Sequence, residues 1–230
     1  MSMLMRSDVI NEIIALFDEP DYLEIGVWRG DTFREIKTAS KTAVDPQFMF
    51  DYETMNAENN GSVYYQKTSN SFFAKMPSED NKFDVIFLDG LHTFEQTLID
   101  LLHSIERLRN GGIIIVDDVI PDSYPASLRS QQDSFQFRQI MGDPSQAWMG
   151  DVYRLVFFIN SFMLNWTYFT VEENHGQLVM WRAPRIGGNQ TDELVSSVGN
   201  KSYLDSVVSR DIFNVQPLAQ IVELARDRSR

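Results

Sequence analysis

The sequence predicts a Rossmann-like α/β fold: a doubly wound, mostly parallel sheet of seven strands with an antiparallel hairpin at one edge. Three observations carry this. Short apolar runs alternate with helical patterns from residue 20 to 116, the rhythm of βαβ crossovers. The runs FDVIFL and GIIIV are apolar on both faces, as strands buried between two helical layers must be. Two later runs, Trp166–Val171 and Gln177–Trp181, flank Glu-Glu-Asn-His-Gly, a hairpin signal that places both at the sheet edge.

The elements follow in order. Residues 7–17 carry apolar positions at helical period, with Ser7 as N-cap. Strand Tyr22–Ile25 leads to helix Thr32–Lys37, strand Lys41–Val44 to helix Tyr52–Asn56, and strand Ser62–Gln66 to helix Ser71–Lys75. Strand Phe83–Leu88 precedes a long helix, Thr93–Arg107, with Leu98, Leu101, Leu102, Ile105 and Leu108 on one face. Gly111 and Gly112 end that helix, and Gly112–Val116 is the fifth strand. Residues 120–149 are rich in Pro, Ser, Asp and Gln without a period, which reads as a substrate lid. A helix resumes over Asp151–Leu164, the hairpin follows, and residues 184–200 read as an exposed connection. Residues 203–227 have helical spacing, with Leu218, Ile221, Val222 and Leu224 at apolar positions. The expected division is a catalytic domain over 1–184 and a C-terminal helical extension over 185–230, whose stripe could cover its own domain or join a second copy in a homodimer.

Composition limits the function. The 230 residues are 43% hydrophobic and 12% aromatic, enough for a sizeable core. A net charge of −13 argues against a nucleic-acid partner, because phosphate backbones are repelled. With no cysteine there is no thiolate nucleophile, no disulfide and no Cys-ligated metal, which fits a reducing cytoplasm. Asp8 and Glu12 interrupt the N-terminal apolar positions, unlike the core of a signal peptide. The stretch Val152–Leu164 is too short to cross a bilayer, and a membrane role is not expected.

Five features fall at the C-terminal ends of consecutive expected strands, the edge where open α/β sheets bind ligands. They are Glu24-x-Gly26, Asp45-Pro46, Thr68-Ser69, Asp89-Gly90-Leu91-His92 and Asp117-Asp118. Gly26 and Gly30 would let backbone approach a ligand, or simply form a βα turn. Their G-x-x-x-G spacing, with Trp28 at the tip, departs from the dinucleotide G-x-G-x-x-G. Asp45 can accept from both hydroxyls of a ribose, or cap a helix. Asp89, Asp117 and Asp118 would repel one another and show raised pKa values unless a cation sits among them. Oxygen-only ligands suit Mg²⁺, Mn²⁺ or Ca²⁺, and the other reading is capping or pairing with Arg or Lys. His92 is placed over the same cleft and could take a proton from a substrate hydroxyl, or bond to backbone. His103 and His175 receive no catalytic role. Tyr124, Arg129, Arg138 and Trp148 are the residues of 120–150 that could choose an acceptor, and Asp151 could pair with Arg154.

LEIGVWRGDT, AVDP, FDVIFLDGLHTFEQTLIDL and LRNGGIIIVDDV together resemble class I S-adenosylmethionine-dependent methyltransferases. More narrowly, they resemble the small-molecule O-methyltransferase branch with a D-G-x-H motif, which includes macrocin-type sugar O-methyltransferases and cephalosporin-hydroxylase-like proteins. The resemblance covers residues 20–120, and WMGDVYRLV looks like a segment found in bacterial relatives. It implies that Glu24, Gly26, Val27 and Gly30 hold the methionine end of the cofactor and Asp45 the ribose. Thr68 and Ser69 would border the adenine, and Asp89 would touch the cofactor. In catechol-type relatives an acid after strand four and a pair after strand five bind Mg²⁺, positions matched by Asp89, Asp117 and Asp118. Those relatives carry a lysine base where His92 stands. The implied reaction is metal-assisted O-methylation of a small hydroxylated molecule, with a sugar among the candidates, using His92 and Asp89 as catalytic groups. A methyltransferase without metal or with another acceptor atom, and an oxidoreductase or binding module on the same fold, are the alternatives.

Overall fold

The computed structural model describes residues 3–57, 61–76, 82–185 and 193–228. Its strands are β1 (Asp21–Ile25), β2 (Ser40–Asp45), β3 (Ser62–Gln66), β4 (Phe83–Leu88), β5 (Leu108–Val116), β6 (Trp166–Val171), β7 (Leu178–Arg182) and β8 (Val215–Gln216). Its helices are α1 (Arg6–Ile14), α2 (Asp31–Glu35), α3 (Tyr52–Ala57), α4 (Ser69–Lys75), α5 (Phe94–Arg107), α6 (Gln131–Met141), α7 (Tyr153–Phe162), α8 (Val195–Gly199), α9 (Tyr203–Val208) and α10 (Leu218–Arg226). The strands form one sheet in the order β3-β2-β1-β4-β5-β7-β6-β8. Among them only β7 is reversed, antiparallel to both β5 and β6, while β8 runs parallel to β6. The Rossmann-like reading therefore holds, with eight strands instead of seven. The hairpin lies one strand further in than expected, because β8 covers β6.

Side chains alternate between two apolar layers, as strand geometry requires. Leu23, Ile86, Leu88, Ile114, Val116 and Met180 face one layer with α4, α5 and α7. Tyr22, Val85, Phe87, Ile113, Ile115 and Trp181 face the other with α1, α2 and α10. Most of the apolar stripe of α10 is covered within this chain: Leu218, Ile221, Val222 and Ala225 are buried in the same layer as Val9, Ile10 and Ile13 of α1, while Leu224 is 42% exposed.

Several local expectations change. The first helix begins at Arg6, with Met5 as N-cap, and the Asp8 carboxylate accepts the Met5 N–H at 2.9 Å. Ser7 lies inside that helix. The glycine pair does not end α5: the chain turns extended at Leu108, and Gly111 and Gly112 lie within β5. A Cβ on Gly112 would come within 2.8 Å of the Leu108 side chain and 2.9 Å of the Asp84 carbonyl oxygen. Leu102 is 48% exposed, one step round the helix from the fully buried Leu101. Residues 120–149 contain a 3₁₀ turn at Pro125–Ser127 and the helix α6, so this segment is folded and not an aperiodic loop. The expected connection over 184–200 lies partly outside the described residues and contains α8. No helix among the described residues is long and apolar enough to cross a membrane.

Candidate active site

The strand order reverses direction between β1 and β4, and open sheets of this kind bind ligands there. A cavity of about 950 Å³ opens at that point, lined among others by Glu24, Gly26, Asp45, Ser69, His92 and Trp148. That size accommodates a nucleoside-sized ligand with room for a second molecule.

The loop after β1 is shaped by the protein itself. Gly26 has φ +90°, and a Cβ there would sit 2.0 Å from the Asp89 carbonyl oxygen. Glycine is required because two loops touch. Gly30 has φ +75°, forms the N-cap of α2, and lies outside the cavity lining; a Cβ there would meet the Phe50 ring at 3.0 Å. Between them, Val27 and Trp28 both donate their backbone N–H to Asp45 Oδ2 at 2.8 Å. Asp45 Oδ1 accepts the Gln47 N–H at 2.7 Å. Three of the roughly four acceptor positions of this carboxylate are thus used on backbone. Asp45 is a strap across the loop before it is anything for a ligand. The strap also accounts for Trp28, whose φ of +47° is uncommon for a bulky residue. Its ring is exposed at the cavity mouth, with the Arg29 guanidinium 4.3 Å from the ring centroid.

Glu24 is buried at the end of β1 and accepts a hydrogen bond from the Tyr22 hydroxyl at 2.6 Å. Burial pushes its carboxyl up to about 8, against the lowering influence of the Tyr22 bond, Lys41 and Arg6. Thr68 caps α4 by accepting the Ser71 N–H at 3.3 Å. Ser69 lines the cavity beside Gln96, whose amide also donates to Asp100 Oδ1 at 3.0 Å.

On the other side of the reversal point, the three acids surround an arginine. Arg6, the first residue of α1, directs Nε to Asp117 Oδ2, lies 3.8 Å from Asp89 Oδ2, and brings Nη2 within 3.6 Å of Asp118 Oδ1. Burial by itself would lower the Arg6 pKa, but Asp117, Asp89 and Asp118 outweigh it and hold the guanidinium charged. Burial followed by Asp118 raises Asp117 to about 6, with Arg6 opposing, and burial and the neighbouring acids push Asp89 well above the usual carboxylate range. Asp117 lies outside the cavity lining, and its Oδ1 has no hydrogen-bond partner among the described residues.

His92 sits on this cluster. Its Nδ1 is 2.6 Å from Asp118 Oδ2, at an angle that departs from a regular hydrogen bond, and Nε2 is 3.7 Å from Asp89 Oδ1. Asp118 reaches it through a left-handed backbone, φ +59°, which Asp tolerates better than most residues. The segment Trp148–Asp151 fixes the same histidine from behind. The Trp148 ring lies over His92 at 5.0 Å between centroids, and its Nε1 donates to the Leu128 carbonyl at 2.7 Å. Gly150 has φ +61°, and a Cβ there would stand 1.7 Å from the His92 carbonyl oxygen. Asp151 accepts the Phe94 N–H at 2.7 Å and pairs with Arg154 at 2.7 Å.

Of the four candidate acceptor-choosing residues only Trp148 lines the cavity. Arg138 is buried and holds the Ala147 carbonyl at 2.9 Å, Arg129 pairs with Glu95 at 2.7 Å, and Tyr124 packs on Phe137 at 5.5 Å. Sequence reasoning missed Arg6, Gln96, Gln131, Phe135 and Gln146 in the lining. Only the demand for a cation among three acids pointed toward Arg6.

A divalent ion fits the three-acid set poorly while Arg6 stands in it. Asp89, His92 and Asp118 offer ligand atoms within 4.8 Å of one another, a set whose acids the guanidinium already partly neutralises.

Residues 23–119 match the family model described as a methyltransferase domain. A sequence search of curated proteins finds no match. Among solved structures, a candidate caffeoyl-CoA O-methyltransferase from Staphylococcus aureus aligns with TM-score 0.53 and 15% identity over 79% of this chain and 85% of that one. Cofactor-bound Rv0187 from MTB aligns with TM-score 0.52 and 14% identity over 79% and 82%. A protein from Corynebacterium glutamicum gives TM-score 0.51 and 12% identity over 81% and 84%. At such identities the likeness is one of fold alone.

Proposed function

We propose that this methyltransferase moves the methyl group of S-adenosylmethionine to a hydroxyl of a small molecule, with His92 as the base. The observation that carries the reading is one cavity lined by Glu24, by residues of the strapped glycine loop and by the Asp118–His92–Asp89 array. S-adenosylmethionine supplies a methyl carbon already activated by the sulfonium charge. Glu24, buried and poised near neutrality, would meet the amino group of its methionine end. Ser69, Gln96 and Asp100 would border the base. Asp118 would hold Nδ1 of His92 so that Nε2 faces the acceptor. The acceptor oxygen then takes the methyl carbon, the carbon–sulfur electron pair returns to sulfur, and the hydroxyl proton passes to His92 Nε2. Positioning is the protein's main contribution.

Gln131, Gln146, Phe135 and Trp148 line the acceptor side. Amides beside aromatic faces suit a hydroxyl-rich molecule such as a sugar. A divalent ion on Asp89, His92 and Asp118 is the second reading, and no step is derived through it. We assign the protein to the cytoplasm, where a cysteine-free chain is at home.

Thermal melting tests the cofactor: S-adenosylmethionine should raise Tm, and NAD should not. His92→Ala should bind S-adenosylmethionine as the wild type does and transfer methyl roughly 10²–10⁴-fold more slowly. Stabilisation by NAD alone would remove this reading.

A further inference from the structure

We infer that Arg6 is the fixed cation of the acceptor cleft, standing where the sequence suggests a divalent ion. The chain would then supply from α1 the positive charge that a metal brings in catechol-type enzymes. The inference rests on the methyl-transfer reading above.

Four observations carry it. First, the guanidinium is placed by a rigid element. Val9, Ile10 and Ile13 of α1 are fully buried against the sheet, and the Leu4 N–H donates to the Glu173 carbonyl at 2.9 Å just before the helix starts. Second, Arg6 meets all three acids, with Nε on Asp117, 3.8 Å from Asp89, and Nη2 3.6 Å from Asp118. Third, the side chain is still 35% exposed and lines the cavity, so it faces whatever binds there. Fourth, the guanidinium already faces Asp89 Oδ2, Asp117 Oδ2 and Asp118 Oδ1, so an ion on the remaining oxygens of Asp89 and Asp118 would bring a second positive charge into the same cluster. The two cations compete for the same three acids.

The chemistry is adequate for the task. A guanidinium cannot be deprotonated at working pH and presents N–H donors in a fixed fork. One such donor aimed into the cleft can orient the acceptor oxygen and favour its anionic form. His92 Nε2 remains to receive the proton. Asp117, buried and closed off from the cavity, then serves to hold the arginine and not to ligate an ion.

The test uses the full-length protein and Mn²⁺ as the probe, followed by electron paramagnetic resonance, with methyl transfer measured in parallel. Wild type should bind Mn²⁺ no better than millimolar and keep its transfer rate within twofold in excess EDTA. Arg6→Ala should bind Mn²⁺ at least tenfold more tightly and lose transfer about 100-fold, with part of the rate restored by Mn²⁺. Arg6→Lys should stay closer to wild type in both respects. Tight Mn²⁺ binding by wild type, or EDTA inactivation, would overturn the inference, and neither measurement needs a variant. An Arg6→Ala protein that keeps full transfer, or gains no Mn²⁺ affinity, would also overturn it. Failure of S-adenosylmethionine to stabilise wild type would sink the methyl-transfer reading instead, while the Mn²⁺ comparison would still decide what occupies the acid cluster.

Discussion

The two halves of the cavity are built by opposite means. On the β1–β2 side the parts lie close in sequence: Asp45 holds the N–H groups of Val27 and Trp28, and Glu24 is bonded to Tyr22 two residues away. On the β4–β5 side they come from the whole chain. Arg6 reaches Asp117 across 111 positions, and Gly150 and Asp151 brace a loop that ends near residue 94. The first half is a local backbone structure with one carboxylate as fastener. The second is a charged array kept in place by distant packing, and it should be the half that mutation disturbs most.

Gly150→Ala should have the largest effect. A Cβ would stand 1.7 Å from the His92 carbonyl oxygen, at a φ that alanine disfavours, so the bracing segment must move away. Strain and displacement together should cost about 3 kcal/mol in urea unfolding. If His92 is the base, as proposed, transfer should fall by roughly 10²-fold or more even at temperatures where the protein stays folded. A variant with wild-type kcat would show that the bracing is incidental and that the contrast between the halves is wrong.

The same contrast explains what the sequence made legible. The alternation that marks a parallel sheet, the first five strands along the chain and the row of polar strand ends followed from periodicity, because each depends on neighbours within a few residues. The helix α6 was hidden because QQDSFQFRQIM is polar: its visible marks are Ser130, whose hydroxyl accepts the Asp133 N–H at 3.2 Å, and Gly142 in the left-handed conformation at its end. The strand β8 has two residues, too few for an alternation. Arg6 carried no signal of its own, since nothing in RSDVINEII says which sheet edge the helix start will meet. Asp45 was placed correctly at its strand end, yet the backbone amides it holds could not be foreseen without the turn that Gly26 and Trp28 make.

Asp45→Ala sharpens the comparison from the other side. It removes the acceptor of three backbone N–H groups, of which that of Val27 is buried. Leaving such groups unpaired costs about 1–3 kcal/mol. On the proposed placement of the cofactor against this loop, the loss should appear mainly as weaker S-adenosylmethionine binding in calorimetry, while kcat at saturation changes little. Asn retains one carbonyl oxygen, so Asp45→Asn should fall between. A fall in kcat with unchanged affinity would place Asp45 with the chemistry and merge the two halves.

The smallest effect is expected from Glu24, and it is read through pH. Burial lifts this carboxyl from 4.5 to about 8, so between those values the folded protein keeps a proton that the unfolded chain has released. Stability from this group is therefore fully present below pH 4.5 and is lost as pH rises through 8. One proton gives a slope of at most about 1.4 kcal/mol per pH unit. Asp117, raised from 3.8 to about 6, adds a slope of the same sign over its own, lower window. Glu24→Gln keeps a carbonyl for the Tyr22 hydroxyl and should flatten the curve between pH 6 and 8, where Asp117 no longer contributes. Binding should move the opposite way. An ammonium beside the carboxylate favours the charged form, so wild-type affinity for S-adenosylmethionine should rise from pH 6 toward 8, and the Gln variant should show no such rise. An affinity independent of pH in the wild type would mean that Glu24 does not face the amino group, and that its burial against Tyr22 serves the fold alone.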